Sequence, residues 1–147
     1  MLSALRCGWV IADAPLVERI RRLNDLYGNV QPFAMDWLAA AAFDRLPALH
    51  ARTRDLLDAN HKLFTEWAAG RDDIAFAAPA WGTTVCVRPT RVDAERLCAE
   101  LRTRHDVSVV PGRFFELPDY MRVSLCTESD VLSEGLRRIG MVLGSGF

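Results

Sequence analysis

Between Leu16 and Tyr27 the apolar residues Leu16, Val17, Ile20, Leu23 and Tyr27 fall at helical spacing, with Arg19, Arg21 and Arg22 on the other side. That pattern predicts an amphipathic helix, started by Asp13-Ala14-Pro15 and closed by Tyr27-Gly28-Asn29. Upstream of it, residues 4 to 12 are rich in strand formers and predict a strand, so the chain opens inside a sheet element. A second helical stretch follows Pro32, with Phe33, Trp37, Ala40, Ala41 and Leu46 on its apolar side, and Pro47 breaks it. From Leu49 the series Leu49, Thr53, Leu56, Leu57, Asn60, Leu63, Phe64 and Trp67 recurs in steps of three and four as far as Gly70. At about 1.5 Å per residue this predicts a rod roughly 30 Å long, able to bridge two lobes of a larger fold or to pack as a surface helix.

After Gly70 the period changes. Ile74 to Phe76 and Thr83 to Arg88 read as short strands, and Val92 to Thr103 as a helix with Asp93 near its start. His105 to Val110 reads as a strand, Pro111-Gly112 as a turn, and Tyr120 to Cys126 as a further strand. Thr127-Glu128-Ser129-Asp130 has a capping-box pattern that opens a last helix through Leu132, Leu136, Ile139 and Leu143, and Gly144-Ser145-Gly146 reads as a tail. The second half alternates strand and helix as an α/β sandwich does, whereas one strand in the first half cannot make a sheet alone. Its partners are either in the second half or absent from this chain.

Composition narrows the functional classes. The 147 residues carry 18 basic and 19 acidic side chains, a net charge of -1, with no basic block, which argues against nucleic acid or an anionic membrane surface as partner. No apolar run approaches bilayer length, and the N-terminus lacks the pattern of a signal peptide. Cys7, Cys86, Cys98 and Cys126 show no C-x-x-C pair and lie among apolar residues, so no metal site is expected and the thiols read as small buried hydrophobes in a reducing, cytoplasmic setting. Of the 18 cations, seventeen are arginine and one is Lys62.

Two arginines stand where a hydrophobe would be expected. Arg6 lies in Ala4-Leu5-Arg6-Cys7-Gly8-Trp9, and Arg122 lies in Tyr120-Met121-Arg122-Val123-Ser124, shortly after Val110-Pro111-Gly112-Arg113-Phe114-Phe115. An arginine in a strand of apolar residues needs an anionic partner, because burying it unpaired is costly, and neither strand offers an acidic neighbour in sequence. An anionic ligand fits that need, as does a distant Asp or Glu. At these residues the chain resembles the class I and II aminotransferases, pyridoxal-phosphate enzymes of fold type I. The Leu5-Arg6-Cys7-Gly8-Trp9 stretch is similar to that family's G-L-R-x-G-W/Y strand, Val110 to Phe115 to its V-P-G-x-x-F turn, and Arg122-Val123-Ser124 to its final R-[IV]-S strand. The order of helices and the small-domain βα layout extend the resemblance over essentially the whole chain.

The resemblance implies an α/β fold class, the C-terminal part of a fold type I aminotransferase. Residues 1–46 would be a remnant of the large cofactor-binding domain, 47–70 an interdomain helix, and 71–147 the small domain. It implies that Arg6 binds the phosphate of pyridoxal 5'-phosphate, that Arg122 holds the α-carboxylate of the amino-acid substrate, and that Gly112 lines the substrate side of its turn. A tight turn after Pro111 is an equal reason for that glycine. It further implies amino-acid and 2-oxo-acid substrates and a homodimer in the complete enzyme. The family's Schiff-base lysine should precede Arg6 by roughly ten residues, where this chain has only Met1 to Leu5. Lys62, beside the inward Leu63, reads as a solvated helix residue, so no lysine-linked cofactor is expected on this chain alone. His50 and His61 read as surface residues, and His105 as a cap on the helix before it. Trp81, where relatives often carry glycine, either narrows the substrate pocket or packs on the surface. The truncated sheet should leave apolar surface over residues 1–45. The alternative is a stand-alone α/β binding or oligomerisation module, and decarboxylases and synthases share the same motifs.

Overall fold

A computed structural model describes residues 8, 10–28, 33–77 and 81–146. Three helices come first: α1 (Ala14–Tyr27), α2 (Phe33–Phe43) and α3 (Leu46–Ala68). There follow β1 (Ile74–Phe76), β2 (Thr84–Pro89), α4 (Ala94–Arg104), β3 (Val110–Pro111), a 3-10 turn over Gly112–Phe115, β4 (Met121–Ser124) and α5 (Ser129–Ser145). The chain divides into two compact units, residues 1–53 and 54–147, and α3 runs through the boundary.

In the first unit the helices form as the pattern predicts, but they bury little. None of the α1 residues is buried, and Leu16, Leu23, Leu26 and Tyr27 are exposed. Ala39 is the single buried residue of α2, which presents Phe33, Trp37 and Phe43 to the outside. Among the described residues of 1–45, the expected apolar surface is therefore there. Local contacts hold α1: the Asp13 carbonyl accepts from the Leu16 and Val17 amides, and Arg21 and Arg22 pair with Glu18. Exposed pairs of this kind contribute little to stability. The strand predicted for residues 4–12 falls mostly outside the described residues. Its described part, Gly8 and Val10 to Ala12, is exposed and pairs with no strand among the described residues, and an extended segment without a neighbour gains no ladder hydrogen bonds. Pro47 does not end α2, which stops at Phe43; it sits in the first turn of α3, where its missing N–H has no helical partner to lose.

The second unit is an antiparallel sheet of order β1-β2-β4-β3 with helices on one side. Registers Ile74↔Pro89, Val85↔Val123, Val87↔Met121 and Pro111↔Met121 set Ile74, Val85, Val87, Met121 and Val123 on one face. That face meets Phe64, Leu97, Leu101, Leu132, Leu136 and Ile139 from α3, α4 and α5 in a continuous core. By the two-residue alternation of a strand, Cys86, Arg88, Val110, Arg122 and Ser124 belong to the other face.

Sequence reasoning places α4 well: Asp93 is its N-cap, its carboxylate accepting the Arg96 amide at 2.8 Å, and His105 is its C-cap. The predicted strand at His105 to Val110 shrinks to Val110–Pro111. Asp106 turns the chain with a left-handed φ of 52°, and the Val107 amide bonds back to the Leu101 carbonyl, which diverts the segment from the sheet. The capping box predicted for α5 does not form: the N-cap is Glu128, which makes no side-chain cap bond, and the Asp130 carboxylate accepts the Val131 amide at 2.8 Å. The buried Asn60 of α3 donates to the Leu125 and Thr127 carbonyls at 2.7 and 2.8 Å and accepts the Ser129 hydroxyl at 2.7 Å. One amide thus fastens the start of α5 to the long helix. Farther along, Arg71 grips Asp73 with two hydrogen bonds of 2.9 and 2.6 Å while its guanidinium stacks 4.9 Å from the Trp67 ring. Gly140 leaves room for that stack: a methyl there would come within 3.0 Å of the Arg71 guanidinium. The predicted tail is instead the last turn of α5, closed by Gly146 at a φ of 62°.

Burial pushes the Cys98 thiol up to about 11, in keeping with an inert core residue. Cys86 and Cys126 are only half-buried, and Cys7 lies outside the described residues. No helix among the described residues is long and apolar enough to cross a membrane.

Candidate functional site

β4 lies between β2 and β3, and Arg122 sits at its second position, opposite Cys86 on one side and Val110 on the other. The strand alternation that buries Met121 and Val123 turns Arg122 to the face away from the helices, where it is half-buried. Several other arginines of this unit have acidic partners: Arg113 pairs with Glu95, Arg91 with Asp72 at 2.5 Å, and Arg138 with Glu134 at 2.8 Å. Arg122 has no carboxylate among the described residues. Its described contact is the Phe115 ring, whose centroid lies 4.3 Å from the guanidinium carbon.

Gly112 lies one residue beyond the pairing Pro111↔Met121, so the sheet brings it next to the Arg122 strand. It is buried, its amide donates to the Tyr120 carbonyl at 2.7 Å, and its carbonyl accepts the Leu117 amide at 3.0 Å. A Cβ here would stand 2.0 Å from the Leu117 carbonyl oxygen and 2.5 Å from that of Tyr120. Backbone on both sides therefore makes the turn itself sufficient reason for glycine. The 3-10 turn ends at Glu116, which adopts the left-handed conformation with a φ of 60°. Arg6, the third residue singled out in the sequence, lies outside the described residues.

The remaining candidates occupy ordinary surface roles. Lys62 is 77 % exposed and lies 3.9 Å from Glu66, one turn along α3. That environment does not suit the amine that anchors a cofactor, which would need a recessed pocket. Trp81 is 71 % exposed, with the Arg54 guanidinium 5.9 Å from its ring. His50 is exposed as expected, but His61 is half-buried and its Nε2 lies 2.9 Å from the Gly82 carbonyl, tying α3 to the approach to β2. Phe115 escaped the sequence reading, although the V-P-G-x-x-F spacing put it at the end of a turn that leads back to the Arg122 strand.

Residues 1–139 match the family model described as aminotransferase class I and II. The chain belongs to the class I and II aminotransferases. It is 35% identical to capreomycidine synthase of Streptomyces vinaceus over 98% of its own length and 38% of that protein. It is 30% identical to the arginine-pyruvate transaminase of Pseudomonas aeruginosa, covering 95% of this chain and 37% of the relative. Among solved structures, a PLP-dependent aminotransferase from Streptococcus suis superposes with a TM-score of 0.89 at 25% identity, covering 97% of this chain and 38% of that one. This aminotransferase chain therefore spans less than two-fifths of the length of the relatives it matches. The fold type I architecture implied by the resemblance is borne out, and so is the family.

Proposed function

We propose that this chain is the C-terminal portion of a pyridoxal-phosphate-dependent aminotransferase that moves an amino group between an amino acid and a 2-oxo acid. The observation that carries the reading is Arg122: a half-buried guanidinium in a chain of this family, on the open sheet face, with no acidic partner among the described residues. Its planar fork matches a carboxylate with two parallel hydrogen bonds, and so orients the bond that is to be broken. Gly112, in the adjoining turn, would line the substrate side, and Arg6 would bind the cofactor phosphate. Pyridoxal phosphate, when bound, supplies the electron sink for chemistry at the substrate's α-carbon. The amine that holds it would come from outside these residues, since Lys62 does not fit. In this reading residues 1–46 belong to the large domain, 47–70 to the interdomain helix and 71–147 to the small domain. The complete enzyme would be a cytoplasmic homodimer. The name of the Pseudomonas relative makes arginine and pyruvate the first donor and acceptor to try.

Phenylglyoxal, which modifies guanidinium groups, tests the carboxylate role on the purified chain. With pyruvate present, modification of Arg122, read by peptide mass spectrometry, should slow about twofold or more relative to Arg88, which is exposed on the same sheet face. Equal rates at both arginines with and without pyruvate would sink the assignment.

A further inference from the structure

We infer that Phe115 is a positioning residue for Arg122, its ring holding the guanidinium flat and ready for a carboxylate. The inference rests on the carboxylate role proposed above for Arg122. The ring centroid lies 4.3 Å from the guanidinium carbon, well within the distance at which an aromatic face attracts a cation. Such stacking leaves the edge of the guanidinium, with its hydrogen-bond donors, open to a planar anion. It also limits the rotamers of a long side chain that has no acidic partner among the described residues, so less freedom is lost when a ligand arrives.

The backbone around Phe115 restrains it. Gly112 packs against the Leu117 and Tyr120 carbonyls, its amide and carbonyl are both used within the turn, and Glu116 closes the turn in the left-handed conformation. Phe115 itself remains 40 % exposed. A ring placed there adds little to the core, whose members all lie on the other side of the sheet, yet it meets the one arginine that faces it. The neighbouring Phe114 ring stacks on Arg113 at 4.3 Å, but that arginine is already paired with Glu95. Two adjacent phenylalanines thus hold two arginines, and Arg122 is the one left available to a ligand.

Pyruvate titration of the 147-residue chain, followed through the Arg122 Nε–Hε resonance by NMR, separates the possibilities. In the unsubstituted protein this resonance should be shifted upfield by the Phe115 ring and should move with pyruvate. Phe115→Leu should abolish the upfield shift and weaken pyruvate binding about two- to fivefold. Phe115→Tyr should restore binding to within about twofold. Pentafluorophenylalanine at position 115 keeps the shape but reverses the ring's charge distribution, so it folds alike and should weaken binding to the same degree as leucine. If the fluorinated ring binds pyruvate as well as phenylalanine does, the positioning role is overturned while the carboxylate role of Arg122 stands. If Arg122→Gln leaves pyruvate binding unchanged, the carboxylate role falls and the positioning role with it.

Discussion

Gly112→Ala should be the most damaging glycine-to-alanine change in this chain. The new Cβ would lie 2.0 and 2.5 Å from two backbone carbonyl oxygens, and neither can swing aside as a flexible side chain would. Relief requires the turn to open, with loss of the Gly112 amide bond to Tyr120 and the Leu117 amide bond to Gly112. Overpacking of well-filled sites commonly costs about 1–3 kcal/mol, and the rigid neighbours here place the expected loss at the upper end, about 3 kcal/mol. For a unit of this size that lowers the melting temperature by about 12–24 °C. Because the same turn presents Phe115, the Arg122 Nε–Hε resonance should lose its upfield shift in parallel. Thermal unfolding by circular dichroism provides the measurement, and a melting temperature within about 2 °C of the parent would show that the turn is not closed as described.

Asn60→Leu is the second large effect. The substitution keeps the volume and removes every polar contact, leaving the Leu125 and Thr127 carbonyls and the Ser129 hydroxyl without their partner. A buried polar group left unsatisfied costs about 1–3 kcal/mol, and some of these groups will find water at the start of α5, so a total of about 3 kcal/mol is expected. Asn60→Asp should be at least as harmful at neutral pH, because a carboxylate would face two carbonyl oxygens with no proton to offer. Ser129→Ala, which removes a single contact, should cost about 1 kcal/mol. Urea denaturation checks the order, and a Leu variant no less stable than the Ser129→Ala variant would refute the clasp.

How far the sequence reaches is visible in these residues. The helical periods of α1, α3, α4 and α5 and the site of β1 are legible because each depends on contacts three or four residues apart or on simple alternation. Arg122 is legible as an anomaly, a guanidinium among apolar neighbours, and the family resemblance gives it a meaning. What stays hidden are pairings across long stretches of chain. Asn60 and Ser129 are 69 positions apart, and nothing local distinguishes a clasp from a polar interruption of an apolar stripe. The capping box misleads differently: it marks the helix start correctly, but the N-cap is Glu128, one residue later than the box requires, and Asp130 accepts the Val131 amide instead. β3 is cut short by a turn at Asp106 and by the amide of Val107 reaching back to α4, again a tertiary choice. The partnership of Phe115 with Arg122 depends on the register of β4 against β3, which no period along the sequence contains.

The ion pairs carry a further consequence, one that concerns alkaline titration. Apart from the contacts of Lys62 with Glu66 and of His105 with Glu100, the described ion pairs use arginine as the cation. Guanidinium keeps its proton up to about pH 12, whereas an ordinary lysine loses its charge near pH 10.4. A lysine-rich protein taken to pH 11 sheds much of its positive charge and is left with unpaired carboxylates. Seventeen of this chain's eighteen cations are arginine, and Arg21 beside Glu18 and Arg137 beside Glu134 hold their protons more firmly still, because the hydrogen-bonded carboxylate raises each guanidinium above its ordinary value.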